Sequence, residues 1–444
     1  MAEPNKSLQT LLATATELTK TLTSNLEARN FPEPSFDQDA PASLPPDQDI
    51  QGPRTKLVEA LMDMLHLAMG PIEYFVSQNL WLGNEAVALD VMNSFNFWAA
   101  VPLGASASYA DIAQATNLPE QIVRRILRFG MTMYLFREEA PGSGRVVHSA
   151  ASAYMARSRH MQSFTSHLLE DVRPATTVVA DALRKWFVGR SAPSEEREHA
   201  PFYLASFGGE VAACSIFDFL RTDEREGRPK GYRATRLAEG LNALSTGIAT
   251  ETYVEAFDWE SLGEATVVDV GGSSGHISAM VAQSHPRLRF IVQDLPELQP
   301  AFEQAMESKP ELASRISFQA HDFFTPQPVS AGAYMLRNIF HDWQDKYVVQ
   351  ILRHLIPALR PGARIVLFDV VMPADDAKGG ERAPLPVRKM QSAFDMQMLV
   401  TLNARERTAE DWRAVLEMAD ERFRVDAVRV VPGASVGLVD VVFG

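Results

Sequence analysis

Between Leu8 and Leu26 the apolar residues Leu8, Leu11, Leu12, Ala15, Leu18, Leu22 and Leu26 recur at helical spacing, which predicts an amphipathic helix whose sticky face needs a partner. The stretch from Asn30 to Pro53 is rich in Pro, Asp and Ser and reads as an extended linker. Residues 55–157 follow a mostly helical pattern, closing on a helix from Pro119 to Tyr134 with Ile122, Val123, Ile126, Leu127, Phe129 and Met133 on its buried side. Residues 158–262 are again mostly helical, with an aromatic cluster of Phe202, Tyr203, Phe207, Phe217 and Phe219 beside Leu220. From residue 263 the pattern changes. Short β-rich apolar runs at 265–270, 288–293, 315–320, 332–336 and 363–371 alternate with helical segments at 275–284, 296–308 and 344–359. That alternation predicts βαβ units and a parallel sheet covered on both faces. Helices near 386–401 and 408–420 follow, then strands near 423–431 and 436–443 joined through Pro432, Gly433 and Ala434, so the last strand should run antiparallel.

The helix at 119–134 is followed by short strands at 135–137 and 145–148, joined through Pro141, Gly142 and Gly144. This is the order of a winged-helix unit, with 109–118 supplying the turn. Arg124, Arg125 and Arg128 on its second helix raise nucleic acid binding as an option, but arginines along one exposed stripe are ordinarily solvated. The chain as a whole carries a formal charge of −14 over 444 residues, which argues against phosphate or an anionic membrane as the main partner. With 46% hydrophobic residues, a small and largely apolar ligand fits better. Cys214 is the single cysteine, so no intrachain disulfide or thiolate metal cluster can form, and a reducing cytoplasmic location is expected. The opening MAEPNKSLQT shows no secretory pattern, and no long uninterrupted apolar run predicts a membrane span.

The candidate chemistry lies after the first strand of the αβ region. That strand runs into Asp269, Val270, Gly271, Gly272, Ser273, Ser274 and Gly275, where glycines would let a ligand approach backbone N–H groups at a helix start. The next strand ends at Asp294, with Leu295 beside it, placing a carboxylate where it can accept hydrogen bonds from both ribose hydroxyls of an adenosyl group. A nicotinamide dinucleotide would favour a G-x-G-x-x-G turn. The G-G-x-x-G spacing and the terminal hairpin favour S-adenosylmethionine, which carries no phosphate. After the third strand, Asp322 is placed to bond an adenine amino group and Phe323 to cover the ring, and Arg337 after the fourth could contact the adenine or the methionine end. His276, His321 and His354 read as capping or packing residues, and no His, Asp and Glu set has metal-site spacing.

The stretches VVDVGGSSGHIS, FIVQDLPE, LRNIFHDWQD, LRPGARIVLFDVVMP and TLNARERTAEDW, with RRILRFGMTMYLF and VVHSAAS upstream, resemble a known family. It is the class I S-adenosylmethionine-dependent O-methyltransferases with a winged-helix dimerisation domain, both plant caffeate and flavonoid types and fungal sterigmatocystin types. The resemblance implies a Rossmann-like methyltransferase sheet of seven strands, the last antiparallel, behind a mostly helical N-terminal domain. It divides the chain into a helix and Pro-rich linker (1–54), a winged-helix dimerisation domain (55–157), a connector that supplies substrate-pocket walls (158–262) and a cofactor-binding catalytic domain (263–444). It places the family's general base on His341, to deprotonate a phenolic hydroxyl of a small aromatic or polyketide-type metabolite. Such a base is needed because a phenol, with a pKa of about 10, is a poor nucleophile while protonated.

The two acidic residues that hold the base in the family fall on Asp369 and Glu406. The first is commonly Glu in the plant enzymes, so the shorter Asp369 puts its direct contact with the imidazole in doubt, and Asp342 is expected to organise the turn. The family also implies a homodimer through the N-terminal domain. Met335, Met390, Phe394 and Met398 are candidates for an apolar substrate slot. The competing expectation is a fold-mate that binds the cofactor but catalyses a pericyclic or dehydration step, for which the retained His341, Asp342 and Glu406 are unfavourable.

Overall fold

The computed structural model describes residues 6–224, 227–247, 251–373, 382–430 and 436–444. The chain divides into two compact units, Met1–Pro174 with Phe217–Gly247 and Pro384–Pro386, and Ala175–Ile216 with Ile248–Ala383 and Val387–Gly444.

In the first unit the sticky helix finds its partner within the chain. Helix α1 (Leu8–Glu27) buries Leu11, Ala15, Leu22 and Leu26 against Ile50 and Ala60 of α2 (Gln48–Ser94). Each of the leucines and Ile50 contributes on the order of 1.5–3 kcal/mol when fully buried. The segment expected as a linker up to Pro53 ends at Asp47, because α2 already begins at Gln48 and carries Pro53 inside it. It is also docked rather than free. The Phe36 ring stacks on Tyr134 at 5.0 Å, the Ala150 N–H donates to the Phe36 carbonyl, and Arg157 donates to the Gln38 carbonyl. Helix α2 kinks at Gly70, just before Pro71, where φ is +66°.

The winged-helix reading holds in its order of elements. Strand β1 (Ala107–Ser108) leads into α3 (Tyr109–Thr116), α4 (Glu120–Thr132) and the hairpin β2 (Arg137–Glu138) and β3 (Arg145–Val147), with β3 central in the small sheet. The segment read as a turn is itself mostly helix. Ser108 and Asp111 form a reciprocal capping box at its start, and Asn117 ends it in the left-handed region. Phe97, Trp98, Ile112, Val123, Leu127, Phe136 and Val146 fill this core. Arg124 is neutralised locally by Glu120 at 2.7 Å and lies 4.2 Å over the Tyr109 ring.

The second unit is built on a seven-stranded sheet. Its strands are β4 (Thr266–Val270), β5 (Arg289–Asp294), β6 (Ile316–Ala320), β7 (Ala333–Arg337), β8 (Arg364–Asp369), β11 (Phe423–Val430) and β12 (Gly437–Phe443). The short strands β9 (Val371–Met372) and β10 (Arg407–Thr408) pair separately and in parallel. The sheet order is β11-β12-β8-β7-β4-β5-β6, with parallel pairs throughout the middle and β12 antiparallel to both its neighbours. The Pro432, Gly433 and Ala434 turn lies outside the described residues.

Alternation along the strands sends Val268, Tyr334, Leu336, Ile365 and Leu367 to one face, against α6 (Asp345–Leu355) and α7 (Ala409–Ala419). Val267, Ala333, Met335, Val366 and Phe368 go to the other face, against α5 (His276–Ser284). Met335 is therefore fully buried sheet core and not a wall of a slot. In the former aromatic cluster Phe202, Phe219 and Leu220 are buried, whereas Phe217 is 40% exposed.

Candidate active site

The strand order brings the carboxyl ends of β4 and β7 side by side, and two loops meet there. Gly271 sits at φ +73°, and a Cβ at that position would come within 2.4 Å of Ile339 Cδ1 and 4.0 Å of Phe323 Cε1. Ile339, two residues before His341, therefore packs directly on the glycine loop. A Cβ at Gly272 would strike the Asp269 carboxylate at 2.5 Å, and one at Gly275, φ +70°, would press on Val292 and Phe302 at 3.0–3.1 Å. The loop needs glycine for space and sign of φ. Its N–H groups, expected to face a ligand, are instead used internally: Gly271 and Gly272 donate to the Gln293 carbonyl and Gly275 to that of Gly272.

Asp294 closes the loop from β5. One carboxylate oxygen accepts from the Ser273 N–H at 2.8 Å and the other from the Leu295 N–H at 2.8 Å. A carboxylate offers about four acceptor sites, so each oxygen keeps capacity for a further donor. Burial pushes its pKa up, and the two N–H donors work against that rise. Asp269 is fully buried, accepts from Ser278 Oγ at 2.6 Å, and is pushed up to about 6 by burial. Arg337 lies over the Tyr253 ring at 5.3 Å, and its buried Nε has no hydrogen-bond partner among the described residues. Asp322 organises its own turn by accepting from the Phe324 N–H at 2.9 Å, while Phe323 is half-buried beside the glycine loop. His276 is half-buried, its Nε2 has no partner among the described residues, and burial aided by Arg337 pushes it down to about 4, so it is neutral.

His341 occupies a short 3-10 turn after β7. Its Nδ1 is 3.0 Å from Glu406 Oε1, and its Nε2 is 3.5 Å from Asp342 Oδ1. The imidazole is 16% exposed and the Glu406 side chain 1%. Glu406 is itself fixed, its N–H donating to Asp395 at 2.9 Å. Asp369 is fully buried at the end of β8, and neither carboxylate oxygen is hydrogen-bonded among the described residues, so it reaches the imidazole by charge and not by contact. Burial alone would push the imidazole pKa down, but Asp342, the Glu406 hydrogen bond and Asp369 outweigh it and push it up to about 10. Burial likewise pushes Asp369 up to about 7 and Asp342 up to about 6, both partly offset by His341. The surrounding carboxylates thus favour the protonated form of the imidazole.

Comparison with known proteins decides the family. Residues 192–421 match the O-methyltransferase domain family. The chain is 33% identical to O-methyltransferase lcsG of Purpureocillium lilacinum over 94% of its own length and 90% of the relative. It is also 33% identical to O-methyltransferase pgmB of Aspergillus terreus, over 98% and 95% of the two chains. The chain belongs to the O-methyltransferase family.

Solved structures share the methyltransferase's fold. The crystal structure of OxaC in complex with SAH and oxaline superposes with a TM-score of 0.69 at 21% identity, covering 98% of this chain and 100% of that one. A pericyclic reaction enzyme superposes with a TM-score of 0.70 at 19% identity over 99% and 100%. Two residues of this candidate site escaped sequence reasoning. Asp269 stood in a motif already recognised, but its burial beneath Gly272 has no sequence signal. Arg407 adjoins Glu406, yet an arginine in a charged run ordinarily reads as solvated, and here it is fully buried.

Proposed function

We propose that the methyltransferase moves the methyl group of S-adenosylmethionine onto a phenolic hydroxyl of a small aromatic, polyketide-type fungal metabolite, with His341 as general base. The observation that carries this reading is the His341 and Glu406 pair at 3.0 Å, on a turn whose Ile339 packs against Gly271. Fit to the donor is supported by the spare acceptor capacity of Asp294 and, among the described residues, by the unpartnered Nε of Arg337. Asp294, with Leu295 beside it, would hold the ribose. Asp322 and Phe323 would bound the adenine, and Arg337 would take the methionine end. When bound, the donor supplies an electrophilic methyl group on a sulfonium.

His341 Nε2 accepts the phenol proton as the oxygen attacks. Glu406 holds Nδ1–H and stabilises the imidazolium that results, and Asp369 acts on it through charge alone. An imidazolium pKa raised towards 10 approaches that of a phenol, so the proton transfer is close to balanced. Because the raised pKa keeps the imidazole charged at lower pH, turnover should climb as pH rises above the ordinary imidazole range.

A homodimer through the winged-helix domain, residues 55–157, completes the proposal. The support is on the second half of α2, where Ile72 is 81% and Phe75 64% exposed beside the exposed Leu80, Trp81 and Leu82. Among the described residues no helix is long and apolar enough to cross a membrane. We place the enzyme in the reducing cytoplasm, a reading that rests on Cys214 being the single cysteine. Incubation with methyl-labelled S-adenosylmethionine and a panel of hydroxylated polyketides tests the reaction. Labelled methyl ether is the expected product, and an isomerised product without label would replace methyl transfer by a pericyclic step.

A further inference from the structure

We propose that Arg407 is a positioning residue that locks the His341 turn against Glu406, an inference that rests on His341 being the base. The Arg407 side chain is fully buried. Its Nη1 donates to the Phe340 carbonyl at 2.7 Å and its Nη2 to the Trp343 carbonyl at 2.7 Å. These two carbonyls bracket His341 and Asp342 in the chain. The same guanidinium reaches Asp345 Oδ1 through Nε at 3.0 Å and Nη2 at 2.7 Å, and lies 5.3 Å from the Trp412 ring.

Two consecutive residues therefore grip one turn in different ways. Glu406 takes hold of the imidazole, and Arg407 takes hold of the main chain on both sides of it. The backbone of Arg407 is in turn paired with Val371, two residues beyond Asp369. The positions of Glu406, Asp369 and the imidazole are thus set by a single local frame, and the guanidinium is its brace. The charge of Arg407 also bears on the Asp369 carboxylate, opposing its rise.

Arginine suits this task because its planar fork offers five donors in fixed directions, enough for two carbonyls and a carboxylate at once. Lysine keeps the charge but is a point donor on a flexible stem, so it cannot reach all three acceptors together. The substitution R407K separates geometry from charge for that reason. Releasing the turn lets the imidazole drift from Glu406, which costs alignment with the reacting oxygen and weakens the hydrogen bond that raises the imidazole pKa.

The experiment compares wild type, R407K and D345N, the last removing the carboxylate that anchors the fork while leaving Arg407 in place. Expected for R407K is a fall in kcat of roughly 10- to 10²-fold, the scale of a misplacement of about 1 Å. The acid limb of its pH profile should move down towards the ordinary imidazole value near 6.5. The dissociation constant for S-adenosylhomocysteine should stay unchanged. D345N should shift kcat and the acid limb in the same directions by smaller amounts, and it decides the matter should R407K fail to fold. Folded variants with lowered melting temperatures but wild-type kcat and acid limb would overturn the inference, leaving Arg407 with a purely structural role. If His341→Asn also turns over like wild type, the base assignment itself has failed; if His341→Asn is inactive while R407K and D345N are unaffected, only the positioning inference has.

Discussion

Replacing Glu406 by Gln removes one negative charge at 3.0 Å from His341 Nδ1 while preserving size and one acceptor oxygen. The imidazolium keeps a charge-assisted bond to the amide oxygen but loses the neighbouring negative charge, an effect of about 1–3 pK units whose lower end is roughly 1.4 kcal/mol. That corresponds to about one pK unit downward. Asp342 and Asp369 remain, so the imidazole should stay above its ordinary value. Initial rates with methyl-labelled donor, measured across the pH range at saturating phenol, should show the acid limb moving down by about one unit. A weaker base also transfers the proton less readily. If half the change in basicity is felt in the transition state, the plateau rate falls roughly three-fold, and looser orientation of the ring brings the total to roughly ten-fold. Activity at acidic pH should then suffer least, because the variant's imidazole is neutral there more often. An acid limb that stays in place, or moves upward, would refute the claim that Glu406 sets the basicity of His341.

Three further outcomes follow from the same geometry. Asp294→Ala should weaken S-adenosylhomocysteine binding by roughly 10- to 100-fold, the cost of losing charge-assisted bonds to two hydroxyls, as read by calorimetry; an unchanged dissociation constant would remove Asp294 from the cofactor site. Gly271→Ala places a Cβ 2.4 Å from Ile339 Cδ1 at φ +73°. It should cost about 1–3 kcal/mol in denaturant unfolding and weaken cofactor binding too. The double substitution Ile72→Glu and Phe75→Glu should convert a dimer into a monomer by light scattering, and a wild-type chain that is already monomeric at micromolar concentration would contradict the dimer.

What the sequence made legible was the part governed by local rules. The β-rich runs and the glycine loop followed from side-chain period and the space a tight turn demands, and both lie where expected. The chemistry of the loop was less visible. Whether the N–H groups of Gly271 and Gly272 face a ligand or the Gln293 carbonyl depends on how β5 sits beside β4, which no local pattern encodes. The same holds for the first fifty residues. A Pro-rich composition suggested a free linker, yet the Phe36 ring stacks on Tyr134 and the Gln38 carbonyl accepts from the Arg157 side chain, partners far away in the chain. Asp369 could be named from the family resemblance, but its lack of a hydrogen-bond partner arises from tertiary burial. Arg407 shows the converse case, a charged residue in a polar run that folding turns inward to satisfy two carbonyls.

The role of His341 is tested most directly by His341→Asn, assayed at saturating donor against a series of substituted phenols of graded acidity. With the base present, kcat should depend weakly on phenol pKa; without it, kcat should fall by roughly 10²–10⁴ and follow phenol acidity steeply, with S-adenosylhomocysteine affinity unchanged. A variant that methylates at close to the wild-type rate, with the same shallow dependence on acidity, would contradict the assignment of proton transfer to this imidazole.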